Sequence, residues 1–163
     1  MEDAIKDFRR TVEAYAPRLH ALGETEARRP RDGDGWSAKE IVGHLVDSAA
    51  NNHRRFVLAQ YRDDLDFEGY SQDDWVRAQG YDEEDWAQLV ALWRAYNLHL
   101  AHVMSHAPEE SLKRERAAHS LDRIAFKLVE AGEPATLEYL MRDYVDHLKH
   151  HLAQIFPGEA DLR

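Results

Sequence analysis

The stretch Asp143-Tyr144-Val145-Asp146-His147-Leu148-Lys149-His150-His151-Leu152-Ala153-Gln154-Ile155 decides how the rest of the chain is read. Tyr144, Leu148, Leu152 and Ile155 recur at helical spacing and extend an apolar stripe begun by Leu137, Leu140 and Met141. On such a helix His147 and His151 stand one turn apart at the edge of the stripe, about 5–6 Å apart at Cβ. Two imidazoles at i and i+4 reach one divalent ion. Two ligands make a weak site, so a third must come from another helix. The best candidate is His44, in Trp36-Ser37-Ala38-Lys39-Glu40-Ile41-Val42-Gly43-His44-Leu45-Val46-Asp47-Ser48.

Composition narrows the field around this site. The chain has 163 residues, enough for one domain with a real core, and we read 1–163 as a single domain. It carries 21 Lys and Arg against 31 Asp and Glu, a formal charge of −10, without the basic cluster that nucleic-acid binding demands. There is no cysteine, which excludes disulfides, a protein thiolate nucleophile and thiolate-held zinc, and which fits a reducing compartment. Neither a signal-peptide core nor a membrane-length apolar run is present, so a soluble, cytoplasmic protein without a membrane partner is expected. The ten histidines are the informative excess.

Four long helices emerge. The first spans roughly Glu2 to Leu22 and contains Pro17, a candidate kink, before Gly23 and a polar loop through Gly35. Ser37 and Glu40 form a capping box that starts the second, with Trp36 as its hydrophobic staple. Its apolar stripe, Ile41, Leu45, Ala49, Asn52 and Phe56, runs beside a polar row of His44, Asp47, Ser48, Asn51 and Arg55. A solvated face is usually rich in Lys and Glu, so this row reads as a pocket wall. Residues 63–80 are acidic and aromatic, with Ser71 capping a short helix. That stretch reads as a lid or a crossover, and the exposed aromatic loop from Tyr70 to Tyr81 as a candidate homodimer contact. Asp82 and Asp85 open a third long helix that ends at Pro108, and Thr136 caps the fourth. Leu112 to Glu133 is ambiguous between an extended arm and short helices, and the tail from Pro157 to Arg163 is expected to fray. An all-α four-helix bundle is the economical sum, and bundle cores are where facing helices assemble metal sites.

The chemistry follows from the ligand set. Three histidines leave coordination positions open to water or substrate, as catalytic sites do. Imidazole suits several metals and does not choose among them. Asp143 and Glu40, four residues before His147 and His44, are spaced to hold the second ring nitrogens. Asp47 is placed to manage a proton, and Asn51 and Arg55 to hold a polar substrate group. His99, His102 and His106 read as a surface stripe and His150 as exposed.

Taken together, the segments from Trp36 to Phe56 and from Thr136 to Ile155 resemble the DinB-like superfamily, and within it the YfiT-type metal-dependent hydrolases. The resemblance implies a four-helix bundle with non-sequential, long-crossover connections. It also implies one divalent metal ion, nickel or zinc, on the histidines that fall here at His44, His147 and His151. Other branches of the superfamily are S-transferases that use a low-molecular-weight thiol such as bacillithiol or mycothiol. Three expectations therefore stand side by side: a small-molecule hydrolase, a thiol S-transferase, and a non-enzymatic metal-binding or ligand-binding bundle.

Overall fold

A computed structural model describes residues 1–31 and 35–158. Seven helices follow in order: α1 (Glu2–Ala27), α2 (Ala38–Leu58), α3 (Gln72–Gln79), α4 (Trp86–His106), α5 (Glu109–Lys113), α6 (Leu121–Ile124) and α7 (Leu137–Ile155), with a 3₁₀ turn at Tyr81–Glu83 between α3 and α4. The four long ones, α1, α2, α4 and α7, form the bundle. Helix α1 packs extensively on α4 and α4 on α2, while α2 meets α7 and α7 meets α1 over smaller contacts, a ring order that departs from chain order. Consecutive helices α1 and α2 barely touch.

Local chemistry sets the helix ends. In α2 the Ser37 hydroxyl accepts from the Glu40 amide while the Glu40 carboxylate accepts from the Ser37 amide, so the capping box is complete. Asp85 and Thr136 cap α4 and α7 through their side chains. Helix α1 runs through Pro17 and breaks instead at Gly23, whose φ of 71° costs glycine nothing. Its last turn continues to Ala27, into what the sequence suggested was loop. The expected fraying of the tail concerns residues of which 159–163 lie outside the described ones.

Fully buried Phe8, Phe56, Trp93 and Tyr144 dominate the core. Phe8 and Phe56 both meet the Tyr144 ring edge-on at 5.8 Å, an aromatic geometry that adds to burial. Each buried aliphatic side chain contributes about 1.5–3 kcal/mol. The stretch from Leu112 to Glu133 resolves as the end of α5, the single turn α6 and irregular chain. Its neighbour is the crossover after α2: the Phe67 amide donates to the Ser120 hydroxyl (2.9 Å), and the Leu65 amide donates to the Ala118 carbonyl (2.9 Å). Two non-bundle segments, near Gly69–Gln72 and Arg123–Phe126, are thereby held together over one side of α2 and α7.

Candidate metal centre

Helices α2 and α7 pack side by side, and that contact brings His44, His147 and His151 together. One nitrogen of each ring lies within 4.8 Å of the others. The Nε2 atoms of His44 and His147 are 3.2 Å apart. Metal–nitrogen bonds of about 2.0–2.1 Å place neighbouring ligand atoms roughly 3.0–3.4 Å apart, so the spacing fits a shared ion. Protonation fits as well. Burial and the neighbouring His151 lower the His44 pKa to about 3, while burial and the other histidines lower that of His147 to about 2. Burial also depresses His151. All three rings are neutral at pH 7, the form that binds metal.

The surrounding shell departs from expectation. Glu40 is used in the capping box and does not reach His44, whose Nδ1 is buried without a partner. The carboxylate of Asp143 does not support His147. It accepts the backbone amides of Phe126 (2.8 Å) and Lys127 (2.7 Å) and so anchors the irregular segment over α7. Support comes instead from Gln154, whose Oε1 accepts from His151 Nδ1 at 2.8 Å and leaves Nε2 for a ligand, and from the Ser48 hydroxyl, 3.5 Å from His147 Nδ1. Trp36, beyond its place before the cap, lies against His44 and His151 with ring centroids 5.1 and 6.4 Å away. Phe126 meets His147 at 5.6 Å.

A cavity of about 280 Å³ opens beside His44 and His147. Ser48, Asn52 and Arg55 of α2, Tyr70 of the crossover, Phe126, and Asp143 and Tyr144 of α7 share its wall. Arg55 lines it as expected, whereas Asp47 and Asn51 do not. Asp47 is buried on the α3 side, where its Oδ1 accepts from the Tyr81 hydroxyl (2.6 Å) and Gln79 Nε2 (2.7 Å). Asn51 donates to the Asp47 carbonyl (2.9 Å). The cavity therefore takes His44, Ser48 and Arg55 from the row the sequence suggested and adds Asn52, while Asp47 and Asn51 fall one 100° helical step away. Tyr70 and Tyr81, expected on an exposed loop, turn inward: Tyr70 lines the cavity and Tyr81 is buried. The Tyr81 ring occupies the space a side chain at Gly43 would need, with a Cβ there falling 2.2 Å from a ring carbon. Burial, with the nearby Asp47 charge, pushes the Tyr70 pKa up to about 12, so its hydroxyl stays a donor. His99, His102, His106 and His150 are exposed.

The chain is thus a helical bundle with non-sequential packing and a cluster of three neutral imidazoles that could hold a metal ion, two of them in a cavity wall. The chain belongs to the DinB superfamily, whose sequence pattern matches residues 7–155. It is 26% identical over 125 residues to "Putative metal-dependent hydrolase YfiT" of Bacillus subtilis, covering 77% of this chain and 64% of that protein, just under two thirds of its length. A Bacillus mycoides relative named in the same way is 25% identical over 82% of this chain and 70% of its own length. The solved structure of Bacillus subtilis YfiT, described as having an unusual four-helix bundle topology, superimposes with a TM-score of 0.76 at 21% identity, covering 94% of this chain and 82% of that one. The likeness establishes the fold. Among the described residues no helix is long and apolar enough to cross a membrane.

Proposed function

We propose that the chain is a metal-dependent hydrolase of a small molecule, with one divalent ion held by His44, His147 and His151. The observation that carries this reading is the convergence of three neutral imidazoles, two of which, His44 and His147, stand in a cavity wall, supported by the names of the relatives. An ion there supplies Lewis acidity, making water nucleophilic near pH ~7 and polarising a carbonyl. The protein's own groups bind and orient. Tyr70, kept protonated, donates a hydrogen bond into the cavity, and Phe126 and Tyr144 exclude bulk water. Asp47 acts at one remove by fixing Tyr81 and Gln79, and Asn51 braces the Asp47 backbone. The net reaction adds water across an ester or amide: hydroxyl to the acyl carbon, proton to the leaving group.

The test is elemental analysis of the purified chain, incubated with nickel or zinc, beside its His44→Ala, His147→Ala and His151→Ala variants, followed by an ester and amide panel with and without added thiol. About one ion per chain, lost in each variant, and turnover without thiol are the expected results. Turnover only with thiol would replace the hydrolase by an S-transferase. Full metal content in His151→Ala would remove the three-histidine centre.

A further inference from the structure

Arg55 is a buried cation without a counter-charge. It is 6% exposed and shares the cavity wall with His44 and His147. Its one hydrogen bond runs from Nη2 to the Glu68 carbonyl at 2.9 Å, and no carboxylate pairs with it among the described residues. Its remaining guanidinium nitrogens have no protein acceptor, yet they are not sealed away as buried orphans are; they keep access to the cavity.

Two other sheltered cations have a carboxylate, and a third meets three carbonyls. Lys39 has Glu24, Lys149 has Asp7, and Arg116 donates to the carbonyls of Ala59, Ser111 and Arg114. An unpaired charge in such a place is expensive unless a ligand completes it. The acid that shares the cavity, Asp143, is not bonded to Arg55; its two oxygens accept the backbone amides of Phe126 and Lys127. Past Gly69 and Arg123 the cavity continues into a groove that also carries Arg54 and Arg62. Arg54 has no ion-pair partner among the described residues, Arg123 pairs at 3.6 Å with Asp66 and 3.4 Å with Asp122, and Arg62 pairs with Asp64 at 2.6 Å. Four arginines thus border the cavity and its groove, beside Asp66 and Glu68, in a chain of net charge −10.

We infer that the molecule this site takes carries an oxyanionic group, a carboxylate or a phosphate, held by the Arg55 guanidinium inside the cavity, with Arg54 and Arg123 drawing it in at the mouth. A guanidinium matches such a group through two parallel N–H donors. The cavity, about 280 Å³, lies at the small end of ligand pockets, so the substrate is a compact anion rather than a polymer or lipid. This rests on the hydrolase reading for what happens next, though the anion subsite itself does not need the metal.

The experiment titrates succinate, inorganic phosphate and neutral succinamide by calorimetry, while side-chain ¹⁵N–¹H spectra follow the arginine signals. Wild type, Arg55→Lys, Arg55→Gln and metal-free His151→Ala are compared, with metal content read on every sample. Succinate or phosphate should bind wild type and His151→Ala and shift an arginine side-chain signal that is missing from Arg55→Lys. Affinity should fall about ten-fold or more in Arg55→Gln and partly in Arg55→Lys, with metal content unchanged. The stronger of the two anions names the group. Equal binding of succinamide, or anion binding indifferent to both Arg55 variants, would overturn the inference. Should Arg55→Gln fail to fold, the wild-type spectra and Arg55→Lys decide alone. Anion binding that depends on Arg55 in a chain without metal would retain this subsite while removing the hydrolase.

Discussion

Helix α2 carries two buried polar clusters five positions apart, and they are built on opposite plans. At Lys39 the ammonium is fully enclosed, and its three N–H groups meet three acceptors: Glu24 Oε1 at 2.7 Å, the Asp82 carbonyl at 2.9 Å and the Glu84 carbonyl. At His44 the nitrogens face other histidine nitrogens, and one is orphaned. The first cluster completes itself and ties the end of α1, the start of α2 and the turn before α4 into one knot. The second leaves its lone pairs converging on a point. Buried polarity that satisfies itself holds the chain together; buried polarity that does not is arranged for something from outside.

This contrast can be broken most directly on the metal-free protein. Lys39→Met should lower stability in urea by about 2–3 kcal/mol, since Glu24 and two carbonyls lose a charged donor. His44→Leu should change it by no more than about 1 kcal/mol, an unpartnered polar ring giving way to an apolar side chain. The reverse ranking would make the histidine cluster the structural one. Next in size, Gln154→Leu removes the acceptor that fixes His151 Nδ1 and should weaken metal binding about 10–100-fold in a competitive chelator titration, with the urea midpoint nearly unchanged.

The smallest effect is on the acid limb. Hydrogen bonds from Lys39 and Arg28 lower the Glu24 pKa from 4.5 to about 2. A carboxylate with a depressed native pKa contributes its stability in full above its unfolded value and loses it as pH falls through the native one. Glu24→Gln should therefore flatten the decline of stability between about pH 4.5 and pH 2, followed by thermal melts across that range. An unchanged acid limb would mean that the knot does not depend on this charge.

The sequence revealed the four long helices because each has its own stripe and cap, and the histidine cluster because His147 and His151 share one helical edge. It could not reveal where the polar row of α2 divides, with His44, Ser48 and Arg55 at the cavity and Asp47 and Asn51 away from it. Asn51 and Asn52 differ by one 100° step, and which of them meets the cavity depends on how α2 is rolled against α7 and the crossover, a tertiary fact. Tyr70, Arg123 and Phe126 reach the wall from segments without helical periodicity, fixed by Ser120 and Asp143 across 53 and 17 residues. The acids spaced four residues before the histidines misled for a related reason: Glu40 was needed by a helix end and Asp143 by a passing backbone.

The non-sequential ring order also has a consequence for how the protein is made. His44 and His147 are separated by 103 residues, and the helix between them in the chain, α4, packs between α1 and α2 in space. A ribosome that has released α1 and α2 has made two helices with little to bind in each other, and the histidine of α2 stays solitary until the last helix is out. On the proposed function, metal capture is then a late event in the life of the nascent chain, and its onset in a refolding experiment would time the docking of α7.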